Sequence, residues 1–202
     1  MEDWMRLGNE ARDKQDYEAA IEYYKKAADA GITDAWYELK GIYHGYGKKF
    51  KKVRDFAKAK EAEQKWYEAR LADGDESVHL MLGYIYEENG EYLKAIVHYE
   101  NAAKNANDNE EQNSAEKSLG AIYYEGKGVP QDFSTALQWY EKAACHGNNM
   151  AMIRLGFMYH DGEGTEPNLE KAIEWCQKVS ASGLKEGANL LLEKWVRPES
   201  VN

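Results

Sequence analysis

The pattern Ala-x-x-x-Leu-Gly-x-x-Tyr recurs along this chain and leaves few architectures open to it. It is clearest as "AEKSLGAIY" (115–123) and "AMIRLGFMY" (151–159). "VHLMLGYIY" (78–86), "AWYELKGIY" (35–43) and "DWMRLGNEA" (3–11) follow it with substitutions, so the leucine position is Leu7, Leu39, Leu82, Leu119 and Leu155. A second pattern, Asp-x-x-x-Ala-x-x-aromatic-Tyr-x-Lys-Ala-Ala-x-x-Gly, comes after each. It reads "DYEAAIEYYKKAADAG" (16–31) and "DFSTALQWYEKAACHG" (132–147), with relatives at 91–106 and 168–183 and a degenerate copy at 57–74. Both patterns have the 3.6-residue period of an amphipathic helix, and the closing glycine is a helix stop. One such helix pair cannot bury its apolar face alone, so the pairs must stack on one another.

Five pairs fill roughly residues 3 to 187 with a period near ~37 residues, the range of helix-pair repeats. The second-helix aromatic precedes the next leucine by 16 residues in four cases (23 to 39, 66 to 82, 139 to 155, 175 to 191). The last match predicts that "GANLLLEKW" (187–195) forms one more first helix, ended by Pro198. The expected fold is all-α, a right-handed α/α-solenoid of about five helix-turn-helix repeats plus a C-terminal capping helix, in one domain over 1–202. The repeats are expected at 3–34, 35–77, 78–114, 115–150 and 151–187, with the cap at 188–197. Asp3, Glu10 and Ala11 stand where other copies have apolar or aromatic residues, which suits a terminal repeat with nothing stacked beyond it.

These residues resemble the Sel-one-like repeat family, a branch of the tetratricopeptide superfamily. The loop "YYEGKGVPQDFSTA" (123–136) carries that family's Gly-x-Gly-Val-x-x-Asp signature almost in full. "YHDGEGTEPNLEKA" (159–172) keeps Gly162 and Gly164, with Asn168 at the Asp position. Repeats one and three have shorter links and look like plain tetratricopeptide units. The resemblance implies a scaffold that docks other proteins, as adaptors do. The paired cysteines of some secreted members are missing, since Cys145 and Cys176 are the only two.

The bulk numbers agree with a soluble scaffold. A net charge of -10 argues against a duplex-DNA or anionic-membrane binder. No signal-peptide pattern and no long apolar run occurs, so a cytoplasmic protein without membrane insertion, monomeric or weakly dimeric, is expected. No nucleic acid is expected as a partner.

On the first helices, positions -2, +2 and +5 from the leucine fall together, away from the packed face. They include Asn9, Arg12, Tyr37, His44, Leu80, Tyr84, Glu87, Lys117, Tyr124, Ile153, Phe157 and His160. A solvated stripe would be mostly Glu, Lys and Gln. This one is apolar and aromatic, so it is expected to line a concave groove for a partner protein or peptide. Sideways packing between neighbouring helices is the competing reading.

Chemistry is poorly represented. His44 and His160 are three repeats apart, His-x-x-x-His and Cys-x-x-Cys are absent, and no nucleophile triad is readable, so no metal, cofactor or catalytic residue is expected. The two Gly-x-Gly loops lack the strand and third glycine of a phosphate loop. The expected function is a non-enzymatic adaptor. A specific antagonist, such as a bacterial immunity protein covering a toxic effector, is the alternative. A small-molecule hydrolase using the groove is a remoter one.

"KKFKKVRDFAKAK" (48–60) is a basic island in this acidic chain. With Trp66 taken as the second-helix aromatic, it occupies an insertion of at least seven residues between the helices of repeat two. Lys48, Lys49, Lys51, Lys52 and Arg54 are candidates for a secondary contact. Phe50, Val53 and Phe56 suggest an amphipathic turn packed back on the scaffold. His79 and His146 read as helix-surface residues, His98 and Cys176 as core, and 105–114 as a solvated connector.

Overall fold

The computed structural model describes residues 3–45, 54–105, 109–179 and 182–196. Eleven α-helices and no strand occur among them: α1 Trp4–Asp13, α2 Tyr17–Asp29, α3 Asp34–His44, α4 Phe56–Ala72, α5 His79–Glu88, α6 Tyr92–Asn105, α7 Asn109–Glu125, α8 Phe133–Cys145, α9 Asn149–Asp161, α10 Leu169–Gln177 and α11 Ser182–Val196. The chain is all-α, built of the helix pairs of an α/α-solenoid. It forms two compact units, Met1–Val78 with α1 to α4 and His79–Asn202 with α5 to α11. Within each unit every helix packs on the next in sequence.

Each pair is closed by the same backbone bond. The residue capping the second helix donates its N–H to the carbonyl four residues past the repeat leucine. These bonds are Asp16 to Ala11 at 2.9 Å, Asp55 to Tyr43 at 2.9 Å, Glu91 to Tyr86 at 2.8 Å, Asp132 to Tyr123 at 2.9 Å, and Asn168 to Tyr159 at 2.6 Å. Asp16, Asp55, Asp132 and Asn168 also accept from the third backbone N–H with their side chains, satisfying donors that a helix start leaves open. Four residues past the cap stands Ala20, Ala59, Ala95, Ala136 or Ala172, each with 0% exposure.

The helix pairs interlock through a second contact. The residue after the leucine is Gly8, Gly83 or Gly120, and the second-helix Tyr24, Tyr99 or Tyr140 lies flat on it. A Cβ there would meet the ring at 2.5, 2.4 or 2.8 Å. In the fifth pair Cys176 takes the ring's place against Gly156. Cys176 is the small buried filler expected, and burial pushes its thiol up to about 11.

The second pair breaks this rule and corrects the register read from sequence. Counted from the cap Asp55, Ala62 and Glu63 stand where α8 has Trp139 and Tyr140. Lys40 replaces the glycine, and its amine meets Glu63 at 3.3 Å, both residues half-buried. The seven extra residues are therefore divided. α4 has 17 residues against 13 in α8, so four of them form an additional helical turn, and three remain in the link. Trp66, taken as the packing aromatic, sits instead at a position where Ala27, Ala102 and Ala143 are buried.

The connector expected at 105–114 also differs. Residues 109–114 are the opening of α7, with Glu110 and Glu111 in the first turn, where carboxylates favour a helix start. Asn113 ties this segment down: its amide donates to the His146 carbonyl at 3.2 Å, and its side-chain oxygen accepts from Asn148 at 2.9 Å.

Candidate interaction surfaces

In the first unit the extra turn of α4 builds an aromatic and cationic cluster against α3. Trp66 approaches Tyr37 with ring centroids 5.1 Å apart and Tyr67 at 4.8 Å. The Lys40 amine lies 4.8 Å from the Trp66 ring and 5.0 Å from that of Tyr37, and Arg70 lies 4.9 Å from Trp66. Arg70 is held in place by Asp75 through two N–H donors. Tyr37 is 51% exposed, although its ring belongs to this cluster.

The other predicted residues of this unit have partners inside the chain. Asn9 accepts the Tyr24 hydroxyl at 2.8 Å. Arg12 bonds Glu38 at 2.5 Å, and this hydrogen bond holds the guanidinium's proton against the opposing effect of burial. His44 meets the edge of Phe56 at 6.2 Å. Phe56 is 58% exposed, with Arg54 at 4.5 Å, and is not folded into the core. Lys48, Lys49, Lys51 and Lys52, with Phe50 and Val53, lie outside the described residues.

The second unit holds the remaining predicted residues, and most are half-buried. Tyr84 meets Tyr99 edge-on at 5.6 Å, and burial raises the pKa of both phenols. Glu87 accepts the Tyr99 hydroxyl at 2.6 Å. The Tyr124 hydroxyl donates to Glu163 at 2.8 Å, with Arg154 4.8 Å from its ring. Ile153 packs against the core. Phe157 contacts Trp195 of α11 edge-on at 5.7 Å, and exposed His160 stacks on the same indole at 4.7 Å. Leu80 and Lys117 are half-buried.

Two histidines depart from their expected places. His79 is 7% exposed, and its Nδ1 lies 2.9 Å from Nδ1 of half-buried His98, which also stacks on Tyr86 at 5.2 Å. His146 is half-buried, and its Nδ1 lies 2.7 Å from the carboxylate of Glu116, which is 2% exposed. Neither pair had a sequence signal, because each joins side chains from two different helices. Among the described residues no three His, Cys, Asp or Glu side chains gather as a metal site would need. No helix among them is long and apolar enough to cross a membrane.

The Gly-x-Gly loops are occupied by the chain itself. A Cβ at Gly128 would meet Tyr92 at 2.6 Å, and one at Gly164 would meet the Phe133 carbonyl at 2.3 Å. Each second glycine thus lets its loop rest on the start of the preceding second helix.

The family model of the Sel1 repeat matches residues 114–148 and 149–184, and that of the tetratricopeptide repeat matches 4–30 and 76–109. This is a Sel1-like and tetratricopeptide-like repeat protein. The division agrees with the loops: the long Gly-x-Gly links belong to the Sel1 matches, the short ones to the tetratricopeptide matches. The two tetratricopeptide matches bracket the second pair, whose interlock is rebuilt. Among solved structures this repeat protein is similar to a Sel1 repeat protein from Oxalobacter formigenes, at 25% identity and TM-score 0.59, covering 98% of this chain and 81% of that one. It is also similar to a protective antigen present in uropathogenic Escherichia coli strains that displays an SLR fold, at 25% identity and TM-score 0.51. That match covers 96% of this chain and 45% of the antigen, so the chain spans less than half the antigen's length. No curated protein matches the sequence.

Proposed function

We propose that this repeat protein is a non-enzymatic interaction module, an adaptor that holds a segment of another protein on the outward face of its first helices. The observation that carries this reading is Tyr37. It is a large ring, 51% exposed, supported beneath by Trp66 and edged by the Lys40 ammonium. A rigid aromatic with a packed support and a charged rim is the type of residue that dominates binding energy at protein interfaces. Tyr84, Tyr124 and Phe157 belong to the same stripe of first-helix positions in the second unit, as half-buried rings with a polar or aromatic neighbour. At this face the net charge of -10 favours a segment with a basic surface, over distances of about a Debye length.

Affinity capture with wild type and Tyr37→Ala at matched helicity tests the reading. Proteins retained by wild type should fall by about ten-fold or more with the variant, the effect of losing one hot-spot ring. Equal retention by Tyr37→Ala and by Tyr84→Ala would sink it.

A further inference from the structure

Seven residues past the cap, the second helices carry Tyr23, His98, Trp139 and Trp175, but α4 carries Ala62. The structure has a cavity of about 320 Å³ where that ring is missing. In the first pair the corresponding space is filled: Tyr23 stacks on Trp4 with ring planes 20° apart, and Lys26 lies 4.6 Å from the Trp4 ring. The second pair repeats two of these three parts. Trp36 stands three residues before its leucine as Trp4 does, and Lys65 lies 4.7 Å from it as Lys26 does from Trp4. Among the described residues the stacking partner is the part left out.

Trp36 and Tyr43 wall the cavity, and Leu39 and Ala62 form its floor. Its size is at the small end of ligand sites, which begin near about 300 Å³, and suits one aromatic side chain rather than a cofactor. At the mouth Lys58 and Lys65 are paired with Asp55 and Glu61. Lys25, also at the mouth, makes no ion pair among the described residues, and Asp29 stands one turn from it. A carboxylate reaching Lys25 would gain a charge partner without displacing one.

We propose that this cavity receives an aromatic side chain from an acidic segment of a partner protein, the ring stacking on Trp36 beside Lys65 while a neighbouring carboxylate meets Lys25. The site is separate from the Tyr37 face, so either can fail without the other. A ring lying beside both the indole and the ammonium, as Tyr23 lies 6.2 Å from Trp4 and 5.7 Å from Lys26, gains both stacking and cation–π attraction. The acidic flank is read by Lys25, which has no ion pair among the described residues.

The test follows the Trp36 indole N–H by nuclear magnetic resonance, assigned with Trp36→Phe. The probes are blocked pentapeptides: Asp-Glu-Trp-Glu-Asp, its Ala-centred version, and Lys-Lys-Trp-Lys-Lys. The acidic Trp peptide should shift the resonance saturably, the Ala version should not, and the basic one should bind about ten-fold more weakly. Ala62→Trp, which supplies the ring from within, should weaken the acidic peptide by about ten-fold or more and raise Tm. Should that variant misfold, Lys25→Glu should still weaken it by about five-fold. An unmoved Trp36 resonance, or affinity unchanged in Lys25→Glu and in a folded Ala62→Trp, overturns the proposal. So does indole-3-acetate binding as tightly as the peptide, which would indicate a small-molecule site. A ten-fold gain in affinity with Phe50→Ala would give the cavity to the chain's own segment and overturn it equally.

Discussion

The second and fourth helix pairs share a cap, a closing bond and a buried alanine, yet they are held together by different physics. In the fourth pair Tyr140 lies on Gly120, an apolar ring against bare backbone. In the second, Lys40 meets Glu63 at the same place. A ring against backbone buries apolar area, worth about 25 cal/mol per Å². An ion pair this close to the interior must first be stripped of water, so its net contribution is small, although losing one partner is costly. The substitution also frees space: the ring beside Glu63 is gone, and the extra turn of α4 carries Trp66 out to Tyr37. The pair that gave up the interlock holds the cavity beside Trp36 and the exposed ring of Tyr37.

The comparison predicts its own largest effect. Tyr140→Ala should destabilise the protein by about 3–5 kcal/mol, the usual loss for a buried ring, whereas Glu63→Ala should cost about 1–3 kcal/mol, mostly from stranding Lys40. Urea denaturation of both variants checks this, and equal losses would dissolve the distinction.

Alkaline titration gives the next largest effect. Burial raises the phenols of Tyr24, Tyr140 and Tyr159 from 10.0 to about 12, with the Glu141 carboxylate, which accepts the Tyr159 hydroxyl, adding to the last. Because the folded-state pKa lies above the unfolded one, this stability is fully present below about pH 10. It is lost as the pH rises towards about 12, by about 2–3 kcal/mol per phenol. Phenolate absorbance should therefore lag behind that of free tyrosine and rise together with loss of helicity. Two of the three rings lie in the second unit and one in the first, so helicity lost in the second unit should be the greater part. Titration of all three at the ordinary pH in a fully helical protein would count against their burial.

The smallest effect sharpens the comparison most. Rebuilding the interlock with Lys40→Gly and Glu63→Tyr together should be less damaging than the sum of the single changes, with a coupling of about 1–2 kcal/mol. Thermal unfolding of the four proteins in the cycle measures it. Additive effects would mean that the two positions do not touch.

Much of the architecture was legible because it repeats. The 3.6-residue period set the helix faces, the glycines marked the stops, and Gly-x-Gly separated the Sel1-like pairs from the tetratricopeptide-like ones. Misreadings arose where one copy departed from the rest. Trp66 seemed to be in register because its distance to the next leucine was 16, a spacing that counts residues and not turns. An added turn of four residues keeps an amphipathic helix in phase, so no periodicity could reveal it. The segment 109–114 looked like a loop for a related reason: its polar composition cannot show that Asn113 has the end of α8 to bond with. The candidate surface was partly legible as a list of positions, but not the degree to which each ring was already engaged.

By itself the sequence determined the helix pairs and their glycine stops, because these depend on residues at fixed short spacings along one chain. Only the tertiary structure decided that Lys40 meets Glu63, that His79 lies against His98, that Tyr37 stays half exposed on Trp66, and that a ring is missing beside Trp36. Each of those depends on which side chain from another helix arrives at the same point in space, and the distance along the chain does not encode it.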